Sequence, residues 1–178
     1  MTGVMPTTRT SIDQDLDPPR LREAFGVFPS GVVAVAAEVN GIRTGLAASS
    51  FTSVSLQPPL VSFSVARSSK TWPHLRMADR LGLTVLAEFH GAWCRQLAGP
   101  VESRFDGVDV STTERGAVVL QDGLARFDCS IHREVEAGDH VIVVLQVHAV
   151  DHTDSRTGAL PLVFHRSRFG LTRAARGS

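Results

Sequence analysis

The stretch from Gly45 to Thr71 reads GLAASSFTSVSLQPPLVSFSVARSSKT and carries the strongest structural signal in the chain. An apolar strand in its second half is preceded by small residues and followed by hydroxyl and basic residues. Small residues allow a backbone to approach a flat ring closely. Hydroxyls and cations together hold phosphate groups. The stretch therefore predicts a strand-based site for a ligand that combines a ring with a phosphate.

The pattern outside this stretch predicts a protein built mainly of strands. Asn40-Gly41 is a strong hairpin signal between a valine-rich strand at 32–39 and a returning strand at 42–49. Further strands are predicted at 60–66, 82–87, 124–135, 140–150 and 160–165, with residues 136–139 forming the turn between the two longest. Six or more strands, joined partly by tight hairpins, favour a mostly antiparallel β-barrel.

Three helical segments and one long loop are predicted between the strands. A first helix starts at Asp17-Pro18-Pro19, and short helices are predicted at 71–79 and 91–98. The first helix presents an apolar face, and the short helix at 71–79 directs Trp72 and Leu75 inward. Residues 99–116 are polar and poorly patterned, which predicts a surface loop. The apolar face of the first helix comprises Leu21, Ala24, Phe25 and Phe28.

Composition limits the class of protein. With 178 residues the chain predicts one domain at 19–171, between a flexible N-terminal arm at 1–18 and a loose tail at 172–178. The 18 basic and 18 acidic residues cancel without a run of one sign, which argues against binding to nucleic acid or to a membrane surface. No apolar run reaches the length of a membrane span. Cys94 and Cys129 form no CxxC motif, and together with the absence of a secretory signal this favours a cytoplasmic setting.

Two clusters in the quoted stretch are candidate ligand contacts. The small residues at the end of the returning strand suit a ring whose edge is met by backbone N–H groups; the alternative is a tightly packed barrel corner. The hydroxyl and basic residues after the next strand suit a phosphate, and the alternative is a helix cap with solvated cations. Ser55 is a weaker third candidate. The ring cluster comprises Ala47, Ala48, Ser49 and Ser50, and the phosphate cluster comprises Arg67, Ser68, Ser69, Lys70 and Thr71.

A metal site is not predicted. His148 and His152 have a spacing of four residues, but on a strand that spacing separates two side chains by about 13 Å. The triplet Gly138-Asp139-His140 fits ordinary turn chemistry, with glycine and aspartate in a hairpin loop followed by a histidine.

Taken together with the quoted stretch, Gly138-Asp139-His140 resembles the flavin reductase family, the short NAD(P)H:flavin oxidoreductases that supply reduced flavin to a partner monooxygenase. The resemblance covers residues 21–171. It implies the FMN-binding split barrel, a Greek-key β-barrel with a few short helices that works as a homodimer. It also implies FAD or FMN as an exchangeable flavin and NADH or NADPH as the hydride donor.

The resemblance also implies roles for individual residues. The ring cluster and the phosphate cluster hold the flavin, with additional contacts from Glu88, His90 and Phe105. The chain has no GxGxxG motif, so the nicotinamide binds on the exposed face of the flavin. Gly138 shapes the turn, Asp139 orients the imidazole, and His140 contacts the nicotinamide or stabilises charge on the reduced flavin. His165 and Arg166 are further nucleotide contacts.

The chain departs from the family pattern at two places, and two other functions compete. Ala47 replaces a threonine found in several relatives, so contacts there come from the backbone. The chain has no tyrosine, so hydroxyl contacts that relatives make near Phe169 are missing. The competitors are another oxidoreductase on the same barrel and a non-enzymatic flavin- or haem-binding module.

Overall fold

The computed structural model describes residues 16–152 and 158–170. Residues 1–15 of the predicted arm and the predicted tail lie outside the described residues. The helices of the described chain are short, and 3₁₀ turns are found at Glu88–His90 and Val101–Ser103. The helices are α1 (Pro18–Gly26), α2 (Trp72–Leu75) and α3 (Gly91–Gln96).

Strands make up most of the regular structure. The first six in chain order are β1 (Ser30–Gly31), β2 (Val33–Val39), β3 (Ile42–Ala48), β4 (Thr52–Leu56), β5 (Pro59–Ala66) and β6 (Leu81–Val85). The remaining six are β7 (Val110–Thr112), β8 (Val118–Leu120), β9 (Ala125–Ala137), β10 (His140–His152), β11 (Val163–His165) and β12 (Arg168–Gly170).

Seven of these strands form one antiparallel sheet in the order β3-β2-β6-β9-β10-β5-β4. Neighbouring strands in the sheet are often distant in sequence: β6 pairs with β2 and β9, and β10 pairs with β9 and β5. Such long connections are typical of a Greek-key arrangement. Contacts between β3 and β5 curl the sheet toward a barrel. The prediction of a mostly antiparallel β structure is confirmed.

Two hairpins fix the ends of the strands that matter for function. Asn40 and Gly41 both have positive φ, 53° and 77°, and connect β2 to β3 as predicted. The turn between β9 and β10 is tighter than the predicted 136–139, because the register pairs Ala137 with His140 and leaves only Gly138 and Asp139 between them. Gly138 has a φ of 63°, which glycine adopts at little cost.

Two apolar clusters form the core. One fills the barrel and includes Phe63, Leu83 and Leu145, with Trp72 and Leu75 of α2 packed into it as predicted. The other lies against α3 and includes Leu86, Trp93 and Leu162. Both free cysteines, Cys94 and Cys129, are buried. Burial raises the pKa of the Cys94 thiol to about 11 and that of the Cys129 thiol to about 12.

Three local predictions need correction. The apolar face of α1 buries none of its residues in the single chain, and Phe25 is 71% exposed. Helix α2 is a single turn, much shorter than the predicted 71–79. Residues 99–116 are not only loop, because they contain a 3₁₀ turn and β7, which pairs with β8. No helix in the described part of the chain is long and apolar enough to span a membrane.

Candidate functional site

A cleft of about 370 Å³ opens where β3 and β5 end and β10 begins. We call it the central cleft. It brings together three segments that the sequence analysis singled out separately: the ring cluster, one residue of the phosphate cluster and the histidine of the Gly-Asp-His triplet. It is lined by Leu46, Ala47, Ala48, Ser49, Ser50, Ser64, Val65, Ala66, Ser69 and His140.

Strand register places His140 in this cleft. The first residue of β10 pairs with the last residue of β5, so His140 lies opposite Ala66. The backbone N–H of Arg67 donates to the carbonyl of Asp139 at 2.9 Å. This bond links the turn between β9 and β10 to residues 67–71, the phosphate cluster, which we call the phosphate loop from here on. Residues separated by more than 70 positions thus meet at one end of the sheet.

Small residues leave the backbone of the β3 end accessible. Ala47 and Ser49 are exposed, whereas Ala48 is only 8% exposed because its methyl group packs in the barrel core. The Ser50 hydroxyl accepts from the Ser64 N–H at 2.8 Å and donates to the Ser64 carbonyl at 3.1 Å. Ser50 therefore fastens this segment to β5, and its hydroxyl is already committed to protein contacts.

The phosphate loop offers free donors. Within the described chain, the N–H groups of Ser68, Lys70 and Thr71 have no protein acceptor, and the Lys70 ammonium forms no ion pair. The Ser69 N–H between them donates to the Ala66 carbonyl at 2.9 Å, so the free N–H groups of this loop are those of Ser68, Lys70 and Thr71. The nearest charge to Arg67 is Glu136 at 3.8 Å, and both side chains are largely exposed.

The hydroxyls of the phosphate loop are less available than the sequence suggested. The Ser69 hydroxyl accepts from the Trp72 N–H at 3.2 Å, and the Thr71 hydroxyl accepts from Arg104 at 2.8 Å. Since α2 has one turn, its dipole adds little to anion binding. Lys70, Arg67 and the free N–H groups are the main groups here that suit a phosphate.

His140 is held by its neighbour in the turn. Its Nδ1–H donates to Oδ1 of Asp139 at 2.8 Å, so Nε2 is the acceptor in the neutral ring. The hydrogen bond to His140 lowers the pKa of Asp139, and the charge of the imidazolium acts in the same direction. Asp139 is thus ionised at neutral pH and orients the imidazole, which is the arrangement that the family resemblance implied.

A second, larger cleft of about 650 Å³ adjoins the first through Ser49, Ser50 and His140. We call it the side cleft. Phenylalanines dominate its apolar surface, and Arg22 supplies a cation. A flat aromatic group that stacks on a ring in the central cleft would enter from this side. Its other lining residues are Arg22, Phe25, Gly26, Phe28, Ser30, Phe51, Thr52, Phe164 and Ser167.

Most of the predicted contact residues do not line either cleft, among them Arg67, Ser68, Lys70 and Thr71 of the phosphate loop, and five lie in other parts of the fold. The Ser55 hydroxyl accepts from the Gln57 N–H at 3.2 Å, which supports the turn before β5. His90 is buried: Nδ1 accepts from the Ala87 N–H and Nε2 lies 2.9 Å from Asp122. Glu88 donates its N–H to the Leu160 carbonyl. Their contacts with flavin stay predictions. The remaining two, His165 and Arg166, line a separate depression beside Pro29 and Phe169.

Phe105 packs behind the ring cluster. Its ring lies edge-on to Trp93, with centroids 6.1 Å apart, and belongs to the second apolar cluster. The residue beside it, Arg104, was not predicted as a site residue, although it contacts both the β3 backbone and the phosphate loop. Ser64, the partner of Ser50, was not predicted either. The motif Arg104-Phe105-Asp106-Gly107 was a signal for Phe105 alone, because nothing in a sequence shows which backbone carbonyls a guanidinium reaches.

The described residues contain no group of three or more histidine, cysteine or acidic side chains that could hold a metal ion. The site therefore consists of backbone donors, hydroxyls, two exposed cations and one oriented imidazole.

Residues 25–172 match the family model described as "Flavin reductase like domain". The chain belongs to this family. A flavin reductase of Pseudomonas putida is 36% identical to this family member over 156 residues, which are 87% of this chain and 90% of that protein. The reductase subunit HsaB of a flavin-dependent monooxygenase of Rhodococcus jostii is 29% identical over 154 residues, 86% of this chain and 77% of HsaB.

Among solved structures, the NADH:FAD oxidoreductase SgcE6 of Streptomyces globisporus C-1027 superposes on this flavin reductase-like chain with a TM-score of 0.83. The two are 31% identical, and the match covers 96% of this chain and all of SgcE6. The expected family and the split-barrel type of fold are thereby confirmed. Two further relatives from Rhizobium meliloti are longer, and the chain spans 44% and 58% of their lengths.

Proposed function

We propose that this chain reduces free FAD or FMN with NADH or NADPH and releases the reduced flavin to a separate monooxygenase. The observation that carries the proposal is the convergence of the ring cluster, Ser69 of the phosphate loop and His140 on one cleft that continues into a second. The ring binds in the central cleft, the phosphate binds at residues 67–71, and the nicotinamide enters from the side cleft. Relatives that are reductase subunits of monooxygenases support the partner class.

The residues present fit a flavin. Alanine and serine side chains at the end of β3 leave backbone groups free to meet a flat ring, and three unpaired N–H groups with Lys70 and Arg67 suit a phosphate. The flavin, when bound, accepts the hydride and supplies the redox chemistry. The protein holds the two reactants in contact, which is how binding energy is converted to rate.

His140 lies where the two clefts adjoin and acts there as a hydrogen-bonding group. With Nδ1–H held by Asp139, its Nε2 accepts a hydrogen bond from the carboxamide of the nicotinamide; in the protonated ring, Nε2–H donates to a developing negative charge. The imidazole thereby orients the hydride donor without taking part in a covalent step.

A second copy of the chain completes the surface around the clefts. Phe25 and Phe28 are 71% and 77% exposed although both line the side cleft, and Leu56 on the edge strand β4 is 90% exposed. Apolar groups and unpaired strand edges of this kind are normally covered. We propose that this second copy forms a homodimer with the first. We also propose a cytoplasmic setting, because a reducing compartment suits the two buried free thiols. Sedimentation of wild type and Leu56→Ser tests the dimer: a monomeric wild type contradicts it.

Flavin is proposed as a substrate and not as a fixed group, because the central cleft is open to solvent and Ala47, Ser49, Ser50 and His140 on its wall are exposed. A turnover of roughly 10 per second with association near 10⁶ M⁻¹s⁻¹ implies a dissociation constant of about 10 µM. The test is a steady-state assay of both nicotinamides against riboflavin, FMN and FAD, after gel filtration of the purified protein. A nearly colourless protein that oxidises NADH or NADPH only with added flavin is expected. A yellow protein with non-exchanging flavin and no turnover identifies the binding module instead.

A further inference from the structure

The guanidinium of Arg104 joins three separate segments of the chain. Its Nη1 donates to the Gly45 carbonyl in β3 at 2.9 Å and to the Thr71 hydroxyl at the end of the phosphate loop at 2.8 Å. Its Nε donates to the Gly99 carbonyl at 3.0 Å. The Arg104 carbonyl in turn accepts from Nε1 of Trp93 at 2.9 Å, so its own backbone is anchored in the second apolar cluster.

Arg104 and Phe105 hold the same glycine from two directions. Arg104 binds the Gly45 carbonyl, while Cζ of Phe105 lies 3.0 Å from the place where a Cβ on Gly45 would stand. That position is also 3.1 Å from the Ala36 Cβ, so no room is left for a side chain. Gly45 precedes the ring cluster by two residues in the same strand. Arg104 and Phe105 therefore both contact β3 two residues before the ring cluster.

We propose that Arg104 is a positioning residue that fixes the distance between the flavin-ring cluster on β3 and the phosphate loop at residues 67–71. This inference rests on the proposed flavin site. A flavin nucleotide spans both segments, so the two must stand at the separation set by its ribityl chain. Riboflavin needs only the ring segment. Arg104 thus acts on flavins that carry a phosphate, and it does so without touching the ligand.

The chemistry of the side chain suits this task. The partners of Arg104 are two carbonyls and a hydroxyl, and no carboxylate of the described residues forms an ion pair with it. A rigid planar fork holds several acceptors in one geometry, which the single flexible ammonium of lysine does not. The partly buried cation also raises the positive potential next to the phosphate loop.

The test measures dissociation constants of riboflavin, FMN and FAD by quenching of flavin fluorescence, which does not depend on turnover. Arg104→Met keeps the apolar stem but removes every donor, and we expect FMN and FAD to bind about 10- to 100-fold more weakly. Riboflavin binding changes less than about threefold, since it does not use the phosphate loop. Thr71→Val removes one acceptor, and we expect FMN to bind about 3- to 10-fold more weakly.

Arg115→Met is the matched control, because Arg115 also makes a two-bond contact, with Asp79, but lies outside both clefts. It should leave all three constants unchanged. A selective loss for phosphorylated flavins in Arg104→Met and Thr71→Val supports the proposal; equal losses for riboflavin and FMN, or a Thr71→Val that binds FMN like wild type, overturn it. If Arg104→Met does not fold, Thr71→Val decides alone. Wild type that binds FMN selectively but oxidises neither nicotinamide contradicts the proposed activity and leaves this test intact.

Discussion

His140 is the register partner of Ala66 at the point where β10 begins and β5 ends. This pairing places His140, the residue that follows the two-residue turn Gly138-Asp139, beside the strand that leads into the phosphate loop. The Arg67 N–H also donates to the Asp139 carbonyl, so a backbone hydrogen bond joins the turn to the loop. The group proposed to act on the nicotinamide is therefore positioned by the same backbone that positions the flavin phosphate.

Replacing His140 by alanine should impair the nicotinamide half of the reaction. Loss of one oriented hydrogen bond costs about 1–3 kcal/mol, roughly a 5- to 150-fold decrease in kcat/KM for NADH or NADPH. The flavin dissociation constant should stay within about threefold, because the phosphate loop is untouched. Stopped-flow kinetics and flavin titration measure the two effects. His148→Ala is the control, since His148 is exposed on the same strand and forms a hydrogen bond with Ser130. Normal nicotinamide kinetics in His140→Ala would return this residue to ordinary turn chemistry.

Replacing Lys70 by alanine should weaken the binding of FMN and FAD more than the binding of riboflavin. A charge-assisted contact of an exposed lysine contributes about 1–2 kcal/mol, so FMN and FAD should bind about 5- to 30-fold more weakly. Isothermal titration with the three flavins measures the difference. Arg43→Ala removes an exposed cation paired with Glu38 at the far end of β3 and should change nothing. An equal loss for riboflavin would show that Lys70 does not contact the phosphate.

Gly45→Ala should destabilise the fold near the central cleft. The new methyl group meets Phe105 at 3.0 Å and the Val35 carbonyl at 3.2 Å, so the neighbours must shift. Overpacking of this kind costs about 1–3 kcal/mol in the free energy of unfolding, measured by urea denaturation. Gly31→Ala is the control, because a Cβ there meets nothing within 4 Å. An unchanged midpoint in Gly45→Ala would mean that Phe105 yields without cost.

The two thiols should resist alkylation in the folded protein. Burial raises the pKa of Cys94 to about 11 and of Cys129 to about 12. At pH 8 the thiolate fraction of Cys94 is then about 0.1%, and it increases about tenfold for each unit of pH. Reaction with a thiol reagent should be slow for the native protein in buffer. In denaturant both thiols should react, so that two equivalents of reagent are consumed per chain. Rapid labelling of the native protein at pH 8 would show that one site opens readily.

Several turns, strands and helix faces were predictable because they depend on short stretches of sequence. Asn40-Gly41 demands positive φ at both positions, so it identified its hairpin from two residues. The apolar face of α2 placed Trp72 and Leu75 correctly, although the length of the helix was overestimated. The Ser69 hydroxyl accepts from the Trp72 N–H at the start of α2, which is the local kind of contact that the helix-cap alternative predicted. The contact of the Thr71 hydroxyl was not predictable, because its donor, Arg104, lies 33 residues away.

The sequence by itself determined which residue types this protein offers a ligand: small residues at a strand end, a basic and hydroxyl loop, and a Gly-Asp-His turn. It determined these because each is a local pattern with a local conformational cause. Only the tertiary structure decided which of them meet. Register between β5 and β10 brought His140 to the cleft, and burial within the fold turned His90 toward Asp122 and Phe105 toward Trp93. Pairing and burial depend on the whole chain at once, and no stretch of the sequence specifies them alone.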